Sequence, residues 1–469
     1  MPLLGAYMAD EHWGRFKTIL VAIGIALVGH LVLIISAIPP VIGHPEGAIA
    51  CFSIGLVIMG MGTGGFKSNI SPLIAEQYAD DKMRVITLDT GERVIMDPSF
   101  TISRIFLYFY LMVNCGSLAG SIGMVYAEKY VGFWLSFTLP TILFLFCPVV
   151  LWACKSRYRL APPTGSVTAK AMKLWGLAMK GRWSLNPTKC YRQLHADDFW
   201  VRVMPSNIPA SERPEWMTFD DAWVSQVRRG LMACKVFLWY PIYWLAYNQM
   251  MNNLVSQAAT MELKGIPNDI LSNLNPVSLI ILIPICDQVI YPGLRKAGIH
   301  FTPIKRITCG FAASSLSMIW ATVLQYYVYK MNPCGSEANT CANMVPTQVS
   351  PINVWVQAGP YVLVGMSEIF ASITGLEYAF SKAPKEMKSL VTALFLFTSA
   401  ISSALSQALV ALAEDPLLVW NYGVVACLAA CAGVIFWLQN RRLDQEEDHL
   451  NMLDDSEHAR NPPSDVESR

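Results

Sequence analysis

Charge is scarce in this sequence. Asp, Glu, Lys and Arg together make up 15% of the 469 residues, against 54% hydrophobic. That balance excludes the usual soluble composition, in which about a quarter of residues are charged. The net charge is only +1, and no long basic run interleaved with aromatics occurs, so no nucleic-acid partner is expected. The 12 cysteines contain no CxxC pair and lie mostly within apolar runs, where a thiol packs as a small hydrophobe. Neither a metal framework nor a cofactor is called for. GxSxG, HExxH and P-loop motifs are missing from any context that would support their chemistry, so no enzymatic activity is expected. A signal-peptide opening is missing too. Met1 to Ala9 carries no basic residue and runs straight into Asp10, Glu11, Arg15 and Lys17. The chain reads as starting in mid-element.

What the sequence has in abundance is long apolar runs. Crossing about 30 Å of hydrocarbon takes roughly 20 helical residues, and ten complete runs of that length stand at 17–38, 50–74, 103–126, 131–152, 231–253, 275–294, 305–329, 354–379, 388–412 and 417–438, with a stub at 1–9. The short alternating segments of a barrel are not seen. An all-α, polytopic membrane protein follows. Lys and Arg collect in alternate loops: at Arg15 and Lys17, at Lys82, Arg84 and Arg93, through 155–229, between Arg295 and Arg306, between Lys382 and Lys388, and at Arg441 and Arg442. The opposite loops offer only Lys129, Lys264 and Lys330. The first set is therefore expected on the cytoplasmic side.

This reading divides the chain into an incomplete helical half at 1–154, a cytoplasmic loop with an amphipathic helix at 155–229, a six-helix half at 230–442, and an acidic tail at 443–469 with the composition of a disordered segment. In the loop, Thr218 is expected to cap a helix with Asp221 at the box position, Phe219, Trp223 and Val227 sharing one face. Outside, Cys334 and Cys341 either pair across a short polar turn or remain two free thiols.

An ionisable side chain inside a span costs several kcal/mol unless it meets a cavity or a partner. Three stand out: Lys67 in GMGTGGFKSNISPL, Asp287 in LIPICDQVIYP and Glu368 in YVLVGMSEIFASITG. Lys67 follows clustered glycines and either lines a cavity or snorkels to an interface. Asp287 is either functional or a structural ion-pair member with Lys235 or Arg295. Tyr110 and Asn114 are four apart on one helical face, as are Trp244 and Asn248 after Pro241; each pair, like Asn275 before Pro276, serves as interhelical glue or as a ligand contact. A cation and an anion on opposite halves of a bundle, with aromatics and amides between, describe a site for a zwitterion.

Several stretches resemble one family. PLLGAYMADEHWGRFKTI, GTGGFKSNISPLIAEQ, FYLMVNCGSLAGS, WYPIYWLAYNQM, NPVSLIILIPICDQVIYP and SEIFASITGLEYAFSKAPKEMKS are similar, in order, to segments of the proton-dependent oligopeptide transporters of the major facilitator superfamily. The loop segment PEWMTFDDAWVSQVRRGL resembles the fungal branch. The resemblance implies a major facilitator fold whose first helix and most of whose second are absent here. It also implies proton-coupled symport of di- and tripeptides by alternating access, in a multi-pass protein of the plasma membrane. Lys67 is then implied to take the peptide carboxylate and to share in proton coupling, and Glu368 to bind the amino terminus. Tyr110, Asn114 and Asn275 are implied to contact the peptide backbone, and Trp244 to line the pocket. Asn248 stands where animal relatives carry an aspartate, and Asp287 is implied to act in gating. The family's E-x-x-E-R motif, which balances the lysine, has no counterpart before Pro2. A relative moving nitrate, amino acids or drugs, and a transport-inactive or peptide-sensing form, are the alternatives.

Overall fold

A lipid-exposed backbone N–H or C=O has no water to bond, so apolar runs of this length must satisfy themselves as helices. The computed structural model describes residues 1–460 apart from 79–83, 88–90, 97, 161–166, 183–192, 194–195, 197, 210–212, 265–267, 340–347 and 384–387. Among these, 9 helices are long and apolar enough to cross a membrane. In chain order the helical elements begin with α1 (Pro2–Met8) and α2 (Gly14–Ser36), which join through a π-helical turn at Ala9–Trp13 into the first such span. Gly14 has a φ of 72°, a left-handed value open to glycine, and it sets the bend there. Then follow α3 (Pro45–Ala75), α4 (Pro98–Tyr130) and α5 (Phe133–Ala153). The loop contributes α6 (Val167–Met179) and α7 (Asp221–Cys234). Beyond it come α8 (Tyr240–Asn248), α9 (Leu274–Ile285), α10 (Pro303–Met331), α11 (Ala358–Ser367), α12 (Thr374–Ser381), α13 (Lys388–Ala408) and α14 (Leu418–Arg460). Strand is confined, among the described residues, to a hairpin of Arg84–Thr87 with Arg93–Met96 and a short parallel pair, Met261–Glu262 with Ser350–Asn353.

Three local expectations are corrected. The run at 231–253 is not one helix: a 3-10 turn at Lys235–Trp239 leads into α8, which stops at Asn248, and a separate short helix follows at Asn253–Ala259. Pro241 is the reason for the first break, since it has no N–H to donate and fits only a first turn. Thr218 is not the cap of α7. Asp220 accepts from the Trp223 amide at 2.9 Å and fills that role, while Thr218 accepts from the Lys170 ammonium at 3.2 Å. The expected face does form, with Phe219 and Trp223 stacked at 4.1 Å and Val227 buried. Finally, α14 continues as helix through the acidic segment to Arg460, where Leu, Gln, Glu and Met favour helix locally even though polar composition favours solvation.

Close approach of backbones holds the first helices together. A Cβ on Gly62 would lie 2.4 Å from the Ala26 amide nitrogen, and one on Gly29 would lie 2.4 Å from that of Met59. Small residues thus let α2 and α3 meet over most of their length. Asn69 ties the pair to α1 by donating to the Gly5 carbonyl at 3.1 Å. After the loop, serines bridge the helices: Ser367 donates to Gly310 O at 2.8 Å, Ser317 to Pro360 O at 2.9 Å and Ser315 to Ala426 O at 2.9 Å. Tyr240, Tyr243, Phe311, Phe395 and Phe436 fill the space between. The apolar stretch of Val354–Ser381 is 72% buried, against 11% for that of Pro45–Ala75, so α11 and α12 are the more enclosed by neighbouring helices. The helices before and after the loop meet through α4 against α9 and α12, and through α1 against α13.

Candidate functional site

Glu368 opens a π-helical turn, Glu368–Ile373, between α11 and α12. Such a turn carries one extra residue, re-aims the side chains around it and recurs at functional sites. The residue is 2% exposed. Its carboxylate accepts three hydrogen bonds, all from neutral donors on other helices: the Tyr110 hydroxyl of α4 and the Tyr247 hydroxyl of α8 (3.2 Å) on Oε1, and Asn275 Nδ2 of α9 on Oε2 (3.0 Å). Pro276 is tolerated because it sits in the first turn of α9, leaving Asn275 at the helix mouth beside Gly365. Asn275 Oδ1 is buried and has no hydrogen-bond partner among the described residues.

Of the residues singled out in the sequence, Tyr110, Asn275 and Glu368 therefore converge. Trp244 adjoins them: its ring lies 5.5 Å from that of Tyr247, and its Nε1 donates to Thr398 Oγ1 of α13 at 3.0 Å. Asn114 turns back on its own helix and donates to the Tyr110 carbonyl at 2.8 Å. Asn248, half-buried at the end of α8, makes no side-chain hydrogen bond with a described residue. Lys67 stands apart. It is exposed and lies on the far side of α3 from the Gly62, Gly65 and Asn69 face. No hydrogen bond or ion pair joins it to another described residue, Glu368 included. Cys334 is disulfide-bonded, and Cys341 lies outside the described residues.

Asp287 occupies a second π-helical turn, Cys286–Ile290. Its partner is neither Lys235 nor Arg295. Arg104 of α4 donates to Asp287 Oδ2 from Nε (3.2 Å) and Nη2 (3.0 Å), and the Tyr108 hydroxyl donates to the same oxygen at 3.3 Å. Arg295 instead stacks 4.4 Å over the Phe100 ring, and Lys235 is exposed on the 3-10 turn. Close by in sequence, Ser103 donates to Glu377 Oε2 at 2.9 Å, and Arg306 lies 3.8 Å from the same oxygen. Two polar ties thus run from one end of α4 to the helices after the loop.

Sequence reasoning missed Tyr247, Arg104, Tyr108 and Thr398. A signal existed for the first, since Tyr240, Tyr243, Trp244 and Tyr247 repeat at helical spacing and mark one aromatic face. Arg104 gave none. It lies among apolar residues four before Tyr108, and nothing local says which carboxylate it reaches 183 positions away.

The sequence matches the POT family (PTR2) over residues 16–438. Peptide transporter PTR_A of Candidozyma auris is 41% identical over 456 residues, covering 97% of this chain and 73% of that protein. The probable peptide transporter ptr2 of Schizosaccharomyces pombe is 41% identical over 458 residues, covering 97% and 70%. A crystal structure of an autoinhibited POT family peptide transporter superimposes with a TM-score of 0.65 at 21% identity, over 94% of this chain and 85% of the other, and so shares the fold. With a family match across most of its length and relatives of this similarity, the chain is a multi-pass membrane protein that belongs to the POT family.

Proposed function

We propose that this protein imports di- and tripeptides together with protons, by alternating access of two helical halves, 1–154 and 230–442, joined by the 155–229 loop. The observation that carries the reading is the Glu368 carboxylate, buried at the meeting of α4, α8, α9 and α11 and held, among the described residues, only by neutral donors. A buried anion without a cation is a site for one. A peptide ammonium has three donors, and Glu368 with the unpartnered Asn275 Oδ1 supplies acceptors for them. Tyr110, Asn114 and Asn275 contact the peptide backbone, and Trp244 and Asn248 line the pocket with Tyr247. Lys67 takes the carboxylate end and shares proton coupling with Glu368, while Asp287 acts in gating through Arg104.

Proton entry down a membrane potential supplies about 2.3 kcal/mol per charge per 100 mV, and rocking of the halves about a midplane site converts it into uptake. Relatives named as peptide transporters in Candidozyma auris, Schizosaccharomyces pombe and Saccharomyces cerevisiae support the substrate class. The Lys and Arg asymmetry of the loops supports a cytoplasmic C-terminus, in the plasma membrane. In proteoliposomes with an inward proton gradient, labelled dipeptide is expected to accumulate, to stop on addition of a protonophore, and to be displaced by di- and tripeptides but not by nitrate or single amino acids. Uptake indifferent to both pH and Lys67→Ala would overturn the reading.

A further inference from the structure

The loop between α5 and α7 holds nine Lys and Arg and no Asp or Glu from 155 to 196. Its first helix, α6, is two-faced. Ala171, Leu174 and Ala178 are buried and join the core that also contains Ala75, Phe106 and Leu107 at the ends of α3 and α4. The helix is pinned there by the Lys170 to Thr218 hydrogen bond, and the start of the loop by a reciprocal pair between Gln77 and Arg159, at 3.2 and 2.8 Å. The outward face is left uncovered. Met172 is 68% exposed and Trp175 41%, and Lys173, Gly176 and Lys180 follow at i, i+3 and i+7 on the adjoining stripe. Lys173 and Lys180 make no hydrogen bond or ion pair with any described residue. Between this face and the Pro214–Trp216 segment lies a shallow, widely open cavity of about 540 Å³, lined by Lys173, Trp175, Leu177, Lys180, Pro214 and Trp216.

We propose that this cavity and the outward face of α6 form a docking site for an anionic phospholipid of the cytoplasmic leaflet. The phosphate-bearing headgroup lies between Lys173 and Lys180, and Trp175, Trp216 and Met172 meet the glycerol and upper acyl region. Three features carry the assignment. Every charge from 155 to 196 is positive and matches the negative potential of that leaflet, outnumbering the single carboxylate of Glu215 between the lining residues Pro214 and Trp216. Tryptophan beside lysine is the residue pairing that settles at a headgroup boundary. The cavity wall is mostly apolar, which suits an acyl-bearing ligand better than a free anion or the acidic segment after Arg442.

Native mass spectrometry of the purified full chain in detergent, titrated with phosphatidylserine or phosphatidylcholine, tests this. The wild type is expected to retain phosphatidylserine at least about tenfold more tightly. In K173Q/K180Q that affinity falls about 30-fold, from two lysines near a charged surface, while in K173R/K180R it is kept, which separates loss of charge from loss of fold. Trp175→Ala weakens both lipids. Equal retention of the two lipids, or unchanged retention in K173Q/K180Q, overturns the proposal. So does full displacement by inorganic phosphate, which would mark a site for a free anion. Lipid binding that appears only after removal of residues 443–469 also overturns it, because the tail would then be the occupant. None of these readouts involves peptide uptake, so their failure leaves the transport reading untouched.

Discussion

At Glu368 the arrangement of donors matters more than their number. A buried acceptor is costly to leave unmade, and a buried donor that loses its partner costs about 1–3 kcal/mol. Glu368→Ala orphans Asn275 Nδ2 and two tyrosine hydroxyls at once, so thermal unfolding of the purified protein is expected to register a loss of at least about 3 kcal/mol. Glu368→Gln removes the charge and keeps an acceptor for both tyrosines, and the NH2 that replaces Oε2 can donate to Asn275 once that amide flips to present its unpartnered Oδ1. It should melt close to wild type yet fail to bind dipeptide. If the glutamine variant bound peptide as well as wild type does, the ammonium role of Glu368 would be wrong. Most of this cluster was legible from single residues, because an acid or amide within an apolar run needs a reason. Tyr247 was not, since a tyrosine in such a run needs none. Both acids, Asp287 and Glu368, lie on π-helical turns. No spacing rule exposes that, because the extra residue is accommodated by neighbouring helices rather than by local propensity.

Among the elements, the α2–α3 pair depends on glycine where backbones touch and not elsewhere on the same helix. Gly62 faces the Ala26 amide, whereas a Cβ at Gly60 meets nothing within 4 Å. Gly62→Leu is therefore expected to destabilise by about 1–3 kcal/mol through overpacking, and Gly60→Ala to be neutral or slightly stabilising as backbone freedom falls. Comparing melting temperatures of the two variants checks this. In the loop, the Arg182 guanidinium donates to Asp198 at 2.6 Å and holds that carboxyl below the ordinary value of 3.8. A depressed acid stabilises its surroundings fully above its unfolded-state pKa and ceases to do so as pH falls through the folded one. Opening of the Asp198–Val201 turn, read by hydrogen exchange, is expected to stay constant from pH 7 to about 5 and to increase below about 4. Asp198→Asn should flatten that dependence. The broken fifth run shows what periodicity leaves out: apolarity over 231–253 is continuous, and only Pro241 and the turn after Asn248 divide it.

For the whole molecule, the ties from Arg104 to Asp287 and from Ser103 to Glu377 join helices that precede the loop to helices that follow it. Asp287 is 7% exposed but Arg104 is 60% exposed, so water screens the pair. Its worth lies at the lower end of the about 1.5–3 kcal/mol of a charged hydrogen bond. Reversing one charge, in Arg104→Asp or Asp287→Arg, is expected to slow dipeptide uptake several-fold, and the double reversal to recover most of it. Initial rates in proteoliposomes measure this, and a double variant no better than the worse single one would show that the pair does not act as a tie between the two sets of helices.

The amino-acid sequence by itself determined the membrane class and the approximate position of nearly every crossing, and its loop charge supplied the expected orientation. These depend on local apolarity and on loop charge, which need no knowledge of what lies across the bundle. It also marked Lys67, Asp287 and Glu368, because a charge in hydrocarbon is conspicuous wherever it points. Only the tertiary structure decided that Glu368 gathers Tyr110, Tyr247 and Asn275, that Arg104 rather than Lys235 or Arg295 serves Asp287, and that Lys67 joins neither acid. Hydrogen bonds and ion pairs depend on distances of about 3 Å between residues far apart in the chain, and those distances exist only once helices have packed.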